Sequence, residues 1–282
     1  MSIIASITLM RPINSLMVGF AVLVGVVIAS PKMIFSPQSL LGFMTGFFIS
    51  SYSMVVNDCY DLEVDRVNNP HKPLPSGKVT IKSAILLSIV LLMIGLFSAI
   101  LISTFNFLIA LTFAIIAWIY NSWGKRKGLI GNMMVALSVS IPYIYGGFAI
   151  GKLDDLLIWF LTIISFLAAT GREVVKTISD VEGDKLRDVK SVARVYGSAY
   201  AARFSATLFL VAVTLSFLPI IFRIVGLTYT LLILIPDAIF VYASISILKD
   251  YTPQNALRIK KVTLMGMFMG LVSFVVGGVF RF

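Results

Sequence analysis

Asn57-Asp58-Cys59-Tyr60-Asp61-Leu62-Glu63-Val64-Asp65-Arg66 closes a long apolar segment and sets four acids within eight residues, in a chain that has only 13 acids. On a helix continued to Asp65, the residues Asp58, Asp61 and Asp65 stand at i, i+3 and i+7 and share one face, with Glu63 opposite. Three carboxylates at a membrane edge repel one another unless cations or basic groups neutralise them. Oxygen ligands with no His or Cys partner suit Mg²⁺, which commonly reaches proteins through a few carboxylates and substrate phosphates. The plainer alternative is an acidic helix end that faces water.

The composition around this stretch sets the class. Of 282 residues, 59% are hydrophobic and 13% charged, so a soluble globular domain is excluded and repeated apolar runs of about 20 residues read as membrane spans. Nine spans are expected, at about 8–29, 38–58, 80–102, 105–122, 129–150, 156–178, 200–219, 226–248 and 262–280. Spans three and four are divided only by Ser103 and Thr104, but one helix from Ile85 to Tyr120 would be about 54 Å long against an apolar layer of about 30 Å. With nine spans and the N-terminus inside, Lys32, Lys152, Arg223 and Arg281 lie outside and the other nineteen of the 23 Lys and Arg lie inside. This bias accounts for the net charge of +10 through topology and contact with anionic lipid, and argues against a nucleic-acid partner. The single cysteine, Cys59, excludes an internal disulfide or a cysteine metal cluster. The first segment lacks the cleavage pattern of a signal peptide and is expected to stay as a span.

The stretch that follows the acids, His71-Lys72-Pro73-Leu74-Pro75-Ser76-Gly77, is too rich in proline and glycine to continue the helix. It holds Lys72 beside the carboxylates, where a lysine meets phosphate as a point charge. A second cluster, Arg172-Glu173-Val174-Val175-Lys176-Thr177-Ile178-Ser179-Asp180-Val181-Glu182-Gly183-Asp184, places Arg172, Lys176, Asp180 and Asp184 four apart on one stripe. A basic pair followed by an acidic pair can hold phosphate and its metal together, and Gly183 is expected to loosen the helix between the two aspartates. Arg11 and Asn14 lie near one helical turn apart at the mouth of span one. Tyr120, Lys125 and Arg126 close span four at the same inner face. Asp237, deep in span eight, is expected to be structurally hydrogen-bonded.

Two acid clusters on one face of a membrane protein fit a diphosphate bearing a lipid tail. The metal and the basic residues would neutralise the leaving diphosphate, while an apolar cavity would hold the chain. Departure of an allylic diphosphate gives a carbocation, which the protein must shield from water and present to a nucleophile. The metal sets are read as Asp58, Asp61 and Asp65, and as Asp180 and Asp184. Arg66, Lys72 and Lys176 are candidate diphosphate ligands. Lys125, Arg126 and Tyr120, or Arg11 and Asn14, are candidates for the acceptor head group, with Asn57 and Arg172 as further polar members of the site.

The pattern Asn57-Asp58-x-x-Asp61-x-x-x-Asp65, then Lys72-Pro73-Leu74-Pro75-Ser76-Gly77, then Lys176-x-x-x-Asp180-x-Glu182-Gly183-Asp184, resembles the UbiA superfamily of intramembrane prenyltransferases over essentially the whole chain. The resemblance implies an all-α polytopic membrane protein, nine transmembrane helices around a central cavity in a single domain over residues 1–282, with two aspartate-rich motifs and Mg²⁺. Lysine at 72 departs from the arginine of many members; a cation is kept and the bidentate geometry is lost. Within the superfamily, Arg11-Pro12-x-Asn14, the lack of extra domains and Thr170-Gly171-Arg172-Glu173 look most like the branch that makes archaeal ether lipids. This implies transfer of geranylgeranyl from geranylgeranyl diphosphate to geranylgeranylglyceryl phosphate at the cell membrane, with the N-terminus and catalytic loops cytoplasmic. The alternatives are prenylation of an aromatic acceptor in quinone biosynthesis and, from another class, a transporter or non-catalytic lipid-binding protein.

Overall fold

A computed structural model describes residues 3–186 and 188–281; Arg187, one of the expected inner-face charges, lies outside them. Among the described residues nine helices are long and apolar enough to cross a membrane. In chain order the helices are α1 (Ile3–Met10), α2 (Pro12–Ala29), α3 (Pro37–Tyr60), α4 (Leu62–Asn68), α5 (Ile81–Ile102), α6 (Thr104–Ser122), α7 (Leu129–Ala149), α8 (Leu156–Ser179), α9 (Val181–Leu186), α10 (Val192–Tyr196), α11 (Ser198–Ser216), α12 (Leu218–Ile221), α13 (Leu227–Lys249) and α14 (Pro253–Val279). α11 and α12 together make one span, Ser198–Ile221.

Local chemistry sets where these helices begin. Ser36 caps α3 by accepting from the Ser39 N–H, with Pro37 following, and Thr80 caps α5 by accepting from the Ser83 N–H. The narrow expected break between spans three and four is a single extended residue, Ser103, whose hydroxyl accepts from the Asn106 N–H at 3.1 Å and so starts α6. Two ends differ from expectation. The first span divides at Arg11, which has a left-handed φ of 46°, so that Pro12 opens α2 where its missing N–H has no helical role. The last begins at Pro253 rather than near 262, because Thr252 caps it and accepts from the Asn255 N–H. Arg258, Lys260 and Lys261 therefore lie on its first turns.

The chain forms two compact units. One draws on the chain up to Val26, on Met33–Ser122 and on Tyr145–Lys152; the other on Val27–Lys32, Trp123–Ile144 and the chain from Leu153. In the first unit, α3 packs mainly on α5 and α6, with α1 also against α3. Its core joins Leu9, Val55, Val56, Leu91 and Ala114 to two loop residues, Leu74 and Val79. α2 comes very close to the end of α7: a Cβ on Gly146 would stand 2.0 Å from the Val22 carbonyl oxygen, so only glycine fits. In the second unit α8, α11, α13 and α14 pack on one another around Val174, Ile178, Phe209, Phe240 and Ile259.

Candidate active site

The first acid cluster lies wholly in the first unit. α3 ends at Tyr60 and Asp61 is the pivot residue, but the helical bonding carries across it: the Asp61 N–H donates to the Asn57 carbonyl at 2.9 Å and the Asp65 N–H to the Asp61 carbonyl at 2.8 Å. The periodicity read from the sequence is thereby kept, and Asp58 and Asp65 are both buried. The Lys72 ammonium bridges them, 2.6 Å from Asp65 and 3.4 Å from Asp58, and the Arg11 guanidinium donates to Asp58 at 2.5 Å.

Lys72 reaches both carboxylates because its loop is locked. Leu74 and Val79 are buried in the core, the Val79 N–H donates to the Pro73 carbonyl, and the Ser76 N–H to the Lys72 carbonyl. Gly77, at φ 74°, makes a turn that disfavours other residues. The Asn69 amide also donates to Asp65 at 2.9 Å. Burial pushes the Asp65 carboxyl up. The hydrogen bonds from Lys72 and Asn69 and the charges of Lys72 and Arg11 outweigh it and hold the group below its ordinary value. On the same helix end, the Asn57 amide donates to Asn121 at 2.8 Å, which ties the end of α6, beside Tyr120, to the acid motif.

The second cluster lies in the second unit. α8 stops at Ser179 and the chain pivots at Asp180, not at Gly183, which sits inside α9. The Asp184 N–H donates to the Asp180 carbonyl at 2.8 Å, so the two aspartates remain one turn apart, and the Ser179 hydroxyl donates to Asp180 at 3.0 Å. Glu173 holds both upstream cations, Arg172 at 2.9 Å and Lys176 at 3.6 Å. The Arg194 guanidinium braces the motif from behind, donating to the backbone carbonyls of Asp184 and Val189 and to the Asp188 carboxylate. Thr177 accepts from the Ala193 N–H and ties α10 to α8.

The remaining expected site residues fall as follows. Arg66 pairs with Glu63 at the exposed surface, not with the buried acids. Asn14 is exposed on α2. Lys125 and Arg126 lie in a short 3-10 turn of the second unit, where the Arg126 carbonyl accepts from the Lys190 N–H at 3.2 Å. Asp237 accepts from Ser216 at 2.8 Å, in keeping with the structural bond expected of it. Sequence reasoning assigned no role to Asn69, Asn121, Glu173 or Arg194. Asn69 stands four residues after Asp65 and Glu173 three before Lys176, spacings that were readable; the partners of Asn121 and Arg194 have no local signal.

The donor set suits a hard cation. Around the first motif the two buried carboxylates of Asp58 and Asp65 meet two cations, and an ammonium already bridges them. Among the described residues no three acidic, His or Cys side chains stand close enough to enclose a metal unaided. A divalent ion here would complete its shell with oxygens from a phosphate ligand, the habit of Mg²⁺.

Compared with known proteins, residues 18–276 match the UbiA prenyltransferase family. The digeranylgeranylglyceryl phosphate synthase of Methanocaldococcus jannaschii is 35% identical over 273 residues, which cover 96% of this chain and 95% of that one. A solved structure concerned with digeranylgeranylglyceryl phosphate synthase in membranes superposes with a TM-score of 0.90 at 33% identity, covering 98% of each chain. A UbiA homologue from Archaeoglobus fulgidus bound to GPP and Mg²⁺ has a TM-score of 0.66 at 19% identity, covering 96% of this chain and 99% of that one; it shares the fold.

Proposed function

Because this chain belongs to the UbiA prenyltransferase family, we propose that it transfers a geranylgeranyl group from geranylgeranyl diphosphate to the free hydroxyl of geranylgeranylglyceryl phosphate, forming the second ether bond of archaeal membrane lipids. The observation that carries this reading is the match along almost the whole length to digeranylgeranylglyceryl phosphate synthases. The buried pair Asp58 and Asp65, bridged by Lys72, supplies chemistry of the kind the reaction requires.

Asp58, Asp61 and Asp65 would hold one Mg²⁺, and Asp180 and Asp184 another. The oxygen-only donors support that choice, as does the Mg²⁺ in the A. fulgidus homologue of like fold. When bound, Mg²⁺ stabilises the negative charge that develops on the departing diphosphate. Lys72 moves from the carboxylates onto a phosphate oxygen, and Arg11 holds Asp58 in place. Lys176 is the donor cation of the second motif. The C1–O bond of the donor breaks, the diphosphate leaves, and the acceptor hydroxyl oxygen bonds to C1 as its proton is lost. Lys125 and Arg126 are the cations we assign to the acceptor phosphate, which keeps two anionic head groups from opposing one another. The reaction takes place at the cytoplasmic face of the membrane, within one prenyltransferase domain.

The test offers labelled geranylgeranyl diphosphate in parallel to geranylgeranylglyceryl phosphate, 4-hydroxybenzoate and dihydroxynaphthoate, with product mass as the readout. An ether product that requires Mg²⁺ and is absent with Asp61→Asn or Asp184→Asn is the expected result. Exclusive prenylation of an aromatic ring would overturn the lipid assignment. Normal turnover by both variants would overturn the metal sets.

A further inference from the structure

Outside both acid motifs, the second unit carries a groove of about 380 Å³ formed by the turn before α7 and the segment leading into α11. Ligand pockets commonly begin at about 300 Å³. One wall is aromatic. Tyr196, Tyr200 and Phe204 follow one another at one-turn spacing, with ring centroids 5.2 Å and 6.3 Å apart and the last two rings nearly parallel at 8°. Opposite stand Trp123, Leu129 and Ile130. Lys127, Lys190, Val192 and Val195 complete the lining, and no acid is part of it. Lys127 lies over the Trp123 ring, 4.8 Å from its centroid.

The groove is graded from wet to dry. Both lysines precede the helices, whereas Ile130 and Phe204 lie within candidate membrane spans. It is also rigidly built. The Lys190 N–H donates to the Arg126 carbonyl, and a Cβ on Gly128 would stand 2.1 Å from the Lys190 carbonyl oxygen. Gly128 has a φ of 55°, so glycine is required there both for conformation and for contact. Two lysines without a carboxylate, above an apolar wall at the water-facing end of two spans, match an amphiphile with an anionic head and an apolar chain.

We propose that this groove is a binding site for an anionic phospholipid of the surrounding bilayer, with the phosphate between Lys127 and Lys190 and the chain along Tyr196, Tyr200 and Phe204. None of the lining side chains is among those assigned to the reaction, and the site stands whether or not the proposed reaction does. Each basic residue near the headgroup contributes about a factor of five to attraction of an anionic lipid, so two give a selectivity over a zwitterionic lipid of about twenty-five-fold.

Trp123 provides the readout. In a Trp118→Phe/Trp159→Phe background, where it is the sole tryptophan, the full chain is placed in phosphatidylcholine vesicles containing chain-brominated phosphatidylglycerol or chain-brominated phosphatidylcholine. Half-quenching at about a twenty-five-fold lower mole fraction of the brominated anionic lipid is the expected outcome. Lys127→Gln/Lys190→Gln should remove that preference and Lys127→Arg/Lys190→Arg should keep it. Raising NaCl to about 0.5 M, where screening is within a few ångströms, should weaken it without any further substitution. Equal quenching by the two lipids, or a preference that survives both the Gln variant and the salt, would overturn the site.

Discussion

At the scale of the residue, Lys72 decides how the first motif behaves. It stands 2.6 Å from Asp65 and 3.4 Å from Asp58, so removing it leaves two buried carboxylates with Arg11 on one of them only. Charge-assisted hydrogen bonds are worth about 1.5–3 kcal/mol. Lys72→Ala should therefore raise the donor KM by about tenfold to a hundredfold, while Lys72→Arg keeps most of the binding; steady-state kinetics with varied geranylgeranyl diphosphate checks both. Asp65 gives a second prediction. Its folded-state pKa is lowered, so it contributes stability above its unfolded value of about 3.9 that is lost as pH falls through the folded value. The melting temperature of the purified protein should drop on acidification below about pH 4. Asp65→Asn should flatten that limb, and an unchanged acid profile would show that other groups set it.

At the scale of the element, two contacts carry the geometry. Leu74 is 6% exposed and anchors the loop that aims Lys72. Leu74→Ala should cost about 2–5 kcal/mol of stability and loosen Lys72 as well, so donor KM rises together with a fall in melting temperature. A fall in stability with donor KM unchanged would separate the anchor from the site. Gly146 stands at the contact of α2 with the end of α7, where a Cβ meets the Val22 carbonyl at 2.0 Å. Gly146→Leu should cost at least the roughly 1–3 kcal/mol of an overpacked core, read as a lower melting temperature in detergent. Retention of the parent melting temperature would mean that α2 and α7 separate freely. The helix ends follow the same local logic: Ser36, Thr80, Ser103 and Thr252 each supply the hydroxyl that accepts from a first-turn N–H.

At the scale of the whole molecule, the distribution of basic residues predicts orientation. Because Cys59 is the only cysteine, a Cys59→Ser background allows single cysteines at Lys78 and Lys152. An impermeant maleimide should label the Lys152→Cys protein on intact cells and the Lys78→Cys protein only after permeabilisation; the reverse would invert the topology. The sequence by itself determined the nine spans, since a bilayer demands about 20 apolar residues per helix with every backbone group bonded internally. Even the one-residue break at Ser103 was readable from helix length. It also determined that Asp58 and Asp65 share a face, because helical period alone places them there. Partnership among the charges was decided by the tertiary structure. Arg11 meets Asp58 across 47 positions, Lys72 is aimed by a loop anchored through Leu74, Arg66 turns outward to Glu63, and Glu173 takes the two cations expected to face phosphate. Periodicity fixes the direction of a side chain from its own helix, but a buried charge is held by whichever opposite charge the packing of other segments brings within reach before water is excluded.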